Sequence, residues 1–366
     1  MANCNSVPSL QRSQGWPLPG WVRRSPQIPW VLVLTLLLAF GWAMPAARLF
    51  DPPSSYLPFH TVLEFVAMAI SAMVFALSWN LWWQGKDSRR IVLGAGFLAV
   101  CLIDLGHTLS FAGMPTLVTP SGTEKAINFW LAGRLFSALT LLAFAALPTK
   151  SWSMARATVA TVFALVLSAV FWWAALYRDD LFPPTFVAGV GLTAFKINCE
   201  YALTALYALS AALLLVRARR ERAPELQWLA AAAWVLGLGE LFLTMYVDVT
   251  DLFNLLGHAY KATAYLMIYR GLFVSGIERP YQQLGFERAR LKALVATIPD
   301  LVWLKDQEGV YLACNPQFER LYGAREGEIV GKTDYDFVDH DLADFFNGPT
   351  TGPQFSPAGR GGMRSG

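Results

Sequence analysis

The sequence predicts an all-α polytopic membrane helix bundle of about eight transmembrane helices, with an incomplete α+β segment at the C-terminus. Three observations predict it. Only 15% of the 366 residues are charged, against about 25% in soluble domains, and the mean hydropathy is +0.40. Eight apolar stretches recur, each close to the roughly 20 residues a spanning helix needs. Basic residues are concentrated in alternate loops, as the positive-inside rule requires.

In chain order, a polar tail over 1–29 carries Arg12, Arg23 and Arg24. The spans then read as 30–46, 57–79, 91–112, 126–147, 157–177, 199–216, 226–247 and 254–274. The first could instead be the apolar core of a signal peptide, since small residues close it; the long polar segment before it favours a retained helix. Lys86, Arg89 and Arg90 follow the second span, Lys150 and Arg156 the fourth, and Arg217, Arg219, Arg220 and Arg222 the sixth. The other loops hold only Arg48, then Lys125, then Arg178 and Lys196, then none. This alternation predicts a multi-pass membrane protein with both termini in the cytoplasm.

Residues 275–298 form a charged, helix-prone connector in which Leu284, Leu291, Leu294 and Ile298 share one face. Over 299–346, "LVWLKD" and "GVYLACN" read as strands around a turn at Gly309, and "PQFERLYG" as a short helix opened by Pro and stopped by Gly. Residues 347–366 are Gly/Pro/Ser-rich and are expected to be disordered.

Of the charged and histidine residues within the spans, all but one gather toward the outer face under this topology; the exception is Arg270, in the last turn of the eighth span, where it can snorkel to the cytoplasmic headgroups. The nine that gather there are His60 and Glu64, Asp104 and His107, Arg134, Glu200, Glu240, and His258 and Lys261, from six of the eight helices. The helical rise keeps them within roughly 12 Å of that face. A charge at the centre of a bilayer costs about 2.5–3.5 kcal/mol on insertion scales, so such groups face one another or a wet cavity. His60/Glu64, Asp104/His107 and His258/Lys261 are spaced to share a helix face. We expect one outward-facing polar pocket, with His60, His107 and His258 as candidate ligands of a metal ion or of a non-covalent haem. The alternative is a network of interhelical hydrogen bonds that only holds the bundle together. His60 and Glu200 also read as interfacial residues touching water, and Arg134 as a counter-ion.

Several of these stretches resemble the MASE3 family of bacterial membrane-associated sensor domains: "FHTVLEF" at 59–65, "DLGHTL" at 104–109, "FKINCEY" at 195–201 and "GHAYKATAYLMIYRGLF" at 257–273. The resemblance covers about 30–275. It implies a sensory role in the bacterial inner membrane, ahead of a signalling module, typically a histidine kinase or a diguanylate cyclase, and hence two-component or cyclic-di-GMP signalling. Residues 291–346 resemble the front of a PAS domain, from "LVATIPD" through the D-x-x-G turn to "EIVGKTDYDF". The likeness stops after "DLADFF", three strands short of a full PAS sheet, so a truncated or frame-shifted product is expected.

The four cysteines, Cys4, Cys101, Cys199 and Cys314, form no CxxC or CxxCH motif. No HExxH or GxSxG motif is present, and no kinase or GGDEF signature, so no catalysis is expected of this chain. The small net charge of +3 and the absence of a concentrated basic face argue against nucleic-acid binding. The expected partners are the bilayer, a small ligand and a second copy joined through the connector. A transporter and an intramembrane metal- or haem-binding redox protein are the competing functions.

Overall fold

The computed structural model describes residues 25–44, 50, 55–116, 118–187, 190–223, 225–248 and 250–347. Most of the polar tail expected over 1–29, and all but the first residue of the tail expected over 347–366, lie outside the described residues, as does Cys4. The chain divides into two compact units, Met1–Arg279 and Pro280–Gly366.

The first unit is built from α1 (Ile28–Trp42), α2 (Tyr56–Gly85), α3 (Ser88–Ser110), α4 (Thr123–Ala146), α5 (Met154–Tyr177), α6 (Ala194–Arg220), α7 (Leu226–Phe242) and α8 (Leu252–Phe273). Among the described residues five of these, α2 to α6, are long and apolar enough to cross a membrane, while α1 and α7 are shorter apolar helices. Local chemistry sets the ends. Lys86 adopts the left-handed conformation that closes α2, and the Asp87 side chain accepts from Arg89 N at 3.0 Å to open α3. Thr193 caps α6 and Asp251 caps α8 in the same way. A short hairpin, β1 (Phe186–Val187) with β2 (Gly191–Leu192), links α5 to α6.

Packing runs α2–α3–α4–α6–α7–α8 and back to α2, a closed ring of six helices. Outside it, α5 lies on α3, and α1 lies along α7. Small residues allow the α5 contact: Ala157, Ala164, Ser168 and Ala175 are buried, whereas Val159, Phe163, Val166 and Val170 are exposed. The six ring helices are those that carry the ionisable residues. One end of the ring is basic. There Arg217 donates to the carbonyls of Ala145 and Leu147, at 2.9 and 2.7 Å, and pairs with Glu221. The middle is filled by Leu, Ala, Val and aromatic side chains.

Past α8 the helix widens into a π turn, Val274–Glu278. Gly276 lies so close to α2 that an added Cβ would sit 2.2 Å from Leu81 Cδ1. The chain then enters α9 (Arg279–Thr297), whose residues are all unburied.

In the second unit β3 (Trp303–Lys305) pairs antiparallel with β4 (Tyr311–Cys314). Gly309 takes φ 84° in the turn between them. Asn315 caps α10 (Pro316–Tyr322), which Gly323 ends in the left-handed conformation. Tyr311, Phe318 and Ile329 form a small core. The Tyr311 hydroxyl donates to Asp334, which also pairs with Lys305; burial and this bond push the phenol pKa well up. Trp303, Leu304 and Leu312 stay exposed.

Candidate functional site

The ring brings seven of the nine singled-out residues together at the end opposite the basic one. His60 and Glu64 come from α2, Asp104 and His107 from α3, Arg134 from α4, and His258 and Lys261 from α8. None is more than 4% exposed. The group is therefore enclosed, and His60 and Glu200, both 0% exposed, are not the interfacial residues touching water that one reading of the sequence made them.

Charge organises the deeper half. Arg134 Nη2 donates to both Asp104 oxygens at 2.9 Å. Lys261 Nζ donates to both Glu64 oxygens, at 2.6 and 2.5 Å, and lies 3.4 Å from Asp104 Oδ2. Two cations thus face two carboxylates. Gly133 permits the approach of α3 and α4, because a Cβ there would stand 2.8 Å from Asp104 Oδ1. Arg134 Nε and Nη1 have no hydrogen-bond partner among the described residues. Aromatic faces take their place: the guanidinium lies 4.7 Å from the Trp130 ring and 5.4 Å from that of Tyr265. Lys261 Nζ is also 4.7 Å from the Trp130 ring.

The three imidazoles close the other half. His60 Nε2 is 3.1 Å from His107 Nε2, and His258 Nε2 is 3.4 Å from Glu64 Oε1. His107 Nδ1 donates to Ala126 O at 2.8 Å, and His258 Nδ1 donates to Asn254 O at 2.7 Å. His60 stacks on Phe111 with ring centres 3.9 Å apart. Asn254 Nδ2 donates to the Tyr56 hydroxyl at 3.0 Å.

Glu200 and Glu240 form a second group beside this one, so Glu240 pairs with Glu200 and not with the histidines and Lys261 it was expected to join. Glu240 of α7 is turned toward Glu200 of α6, the two carboxyl groups within hydrogen-bonding reach. Glu200 pairs with Lys196 at 2.8 Å, and Lys196 Nζ donates to Leu243 O at 2.5 Å. Lys196 is 1% exposed and lies inside α6, not in the loop where the charge count put it. Its spacing of four residues before Glu200 is the signal that would have found it. Trp130, Tyr56 and Asn254 were also missed, and nothing in their sequence positions marks them. A cavity of about 20 Å³ lies between the groups, lined by His107, Trp130, Lys196, Tyr246, Asn254 and His258. That is room for one water-sized occupant.

A closed ring of apolar helices that buries a polar network at one end, followed by a helical connector and a small α/β unit, is the architecture of a helical membrane domain joined to a second, separate unit. The chain belongs to the MASE3 family of membrane-associated sensor domains, which matches residues 52–280. A PAS fold matches residues 295–349. Neither matched region is a catalytic domain. The family match begins after α1, so that helix, included in the expected resemblance from about residue 30, lies outside it. No curated protein and no solved structure matches the chain.

Proposed function

We propose that the enclosed His/carboxylate/Lys network is the detecting site of this sensory module, and that α8 carries its state to the connector. One observation carries the reading: His258 and Lys261, which tie the network together, stand on the helix that runs into the π turn Val274–Glu278. π turns recur at functional positions because their widened ring is a local departure from the stable helix. A ligand acts by favouring one of two arrangements of this helix. The basic end, with Lys86, Arg89, Lys150 and Arg217, faces the cytoplasm, and the network faces outward. The apolar filling of the ring between these ends speaks against a transport path. Leu284, Leu291 and Leu294, all more than half exposed and seven or three residues apart, support pairing of the connector with a second copy.

The test is hydrogen exchange on the full chain in lipid nanodiscs. His107→Ala and His258→Ala are expected to change amide exchange across 274–298 while leaving α4 and α6 protected. Exchange in 274–298 identical to wild type in both variants would remove the proposed relay.

A further inference from the structure

We infer that the ligand of this site is a divalent transition-metal ion of the zinc class, held by His60, His107, His258 and Glu64 and admitted by exchange for the Lys261 ammonium. The inference rests on the sensory reading above only for its purpose; the coordination stands on geometry.

One ligand atom from each of the four residues can be chosen so that all lie within 4.8 Å of one another. Zinc-class ions bind imidazole nitrogen and carboxylate oxygen at about 2.0–2.2 Å, which sets the edge of a tetrahedral site at about 3.3 Å. The His60–His107 nitrogen pair, at 3.1 Å, and the His258–Glu64 pair, at 3.4 Å, already stand at that edge. The widest separation exceeds it by at most about 1.5 Å, a shift within reach of side-chain torsions.

The lone pairs also point the right way. A carbonyl oxygen only accepts, so Nδ1 of His107 and of His258 must carry its hydrogen. In the neutral rings each Nε2 then carries the lone pair: that of His258 is free for a metal, and that of His107, which accepts from His60 Nε2–H in the metal-free network, is released when His60 moves its hydrogen to Nδ1. His258 Nε2 and His60 Nδ1 have no hydrogen-bond partner among the described residues. Backbone carbonyls on the far ring nitrogen fix tautomer and orientation in the way metal-binding histidines require. Three imidazoles and one carboxylate select zinc, copper, nickel, cobalt or iron over calcium and magnesium, which take oxygen ligands.

The same distances exclude haem. A porphyrin cannot lie between nitrogens 3.1 Å apart, His60 is stacked against Phe111, and the adjoining cavity holds about 20 Å³.

Lys261 is the element that makes the site responsive. Its ammonium already occupies both Glu64 oxygens, so the network is charge-balanced without a metal. A dication bound to Glu64 repels it. Asp104 Oδ2, 3.4 Å away, is the acceptor within reach, and a move toward it displaces a side chain of α8.

The experiment uses the untagged full chain in nanodiscs, stripped of metal and titrated with Co²⁺, whose visible spectrum reports coordination. Wild type is expected to bind one Co²⁺ per chain, with the intense bands of a four-coordinate nitrogen/oxygen site. His107→Gln and Glu64→Gln are expected to weaken binding by at least about 100-fold. Lys261→Met is expected to tighten it by at least about tenfold, because a like charge has gone. A merely structural ion pair would not produce this gain. No stoichiometric Co²⁺ in wild type, or binding indifferent to all three substitutions, overturns the inference. If Co²⁺ fails to bind while His107→Ala still alters exchange in 274–298, the metal is wrong and the relay survives. If Co²⁺ binds and leaves that exchange unchanged, the metal site stands and the relay falls.

Discussion

Two buried polar groups share one end of the helix ring, and they differ in which atoms remain unsatisfied. In the network on α2, α3, α4 and α8, Arg134 and Lys261 face Asp104 and Glu64, so charge is balanced; Arg134 Nε and Nη1 lie against aromatic faces, and the acceptor atoms left spare are imidazole nitrogens. In the group on α6 and α7, Lys196 faces Glu200 while Glu240 adds a second carboxyl, so the spare atoms are carboxyl oxygens. A protein tolerates fully buried charges when each has its partner. Once balance is reached, nitrogens left without partners are available for coordination. An excess carboxyl needs a hydrogen, because two ionised carboxylates only accept.

The comparison is broken most directly at Asp104. Asp104→Ala strands the fully buried Arg134 guanidinium and is expected to cost about 3–5 kcal/mol, the largest effect in the membrane unit. Equilibrium unfolding in mixed micelles measures it. Asp104→Leu combined with Arg134→Met should recover most of the loss, since no uncompensated charge remains. Failure of the double substitution to recover would mean that the pair does more than balance charge.

A smaller expected effect sharpens the same point through backbone approach. Gly133→Ala places a methyl 2.8 Å from Asp104 Oδ1, and the carboxylate must shift out of its two-fold grip on Arg134. Overpacking of this kind costs about 1–3 kcal/mol. The loss should largely vanish in the Asp104→Leu, Arg134→Met background, where no ion pair remains to disturb. An equal loss in both backgrounds would assign the effect to helix packing alone.

The sequence makes one part of this arrangement readable and hides another. The eight apolar stretches correspond to α1–α8, because hydropathy reports where a helix lies. Their ends are less visible. The helix α2 runs on to Gly85 through "LWWQG", and α6 spans Ala194–Arg220 where only 199–216 was expected. Charged terminal turns lower hydropathy without ending a helix, and that is how Lys196 escaped notice. Pairs on one helix, such as His258 and Lys261, follow from spacing. Partners on different helices do not. That Glu240 turns to Glu200 could not be read from the sequence, because α7 is apolar on nearly every face and its rotation leaves no mark in the pattern.

The smallest expected effect is the sharpest test of the division. Glu240→Gln supplies an amide donor to Glu200 and leaves the Lys196–Glu200 pair in place. If Glu240 belongs to a carboxyl pair rather than to the charge network, the change in stability stays within about 1 kcal/mol. Co²⁺ affinity at the three histidines stays unchanged as well, because none of the four proposed ligands has been altered. A cost approaching that of Asp104→Ala would mean that Glu240 is a partnered anion of the Arg134 network. The two groups would then be one, and the free nitrogens would owe their availability to a balance that includes α7.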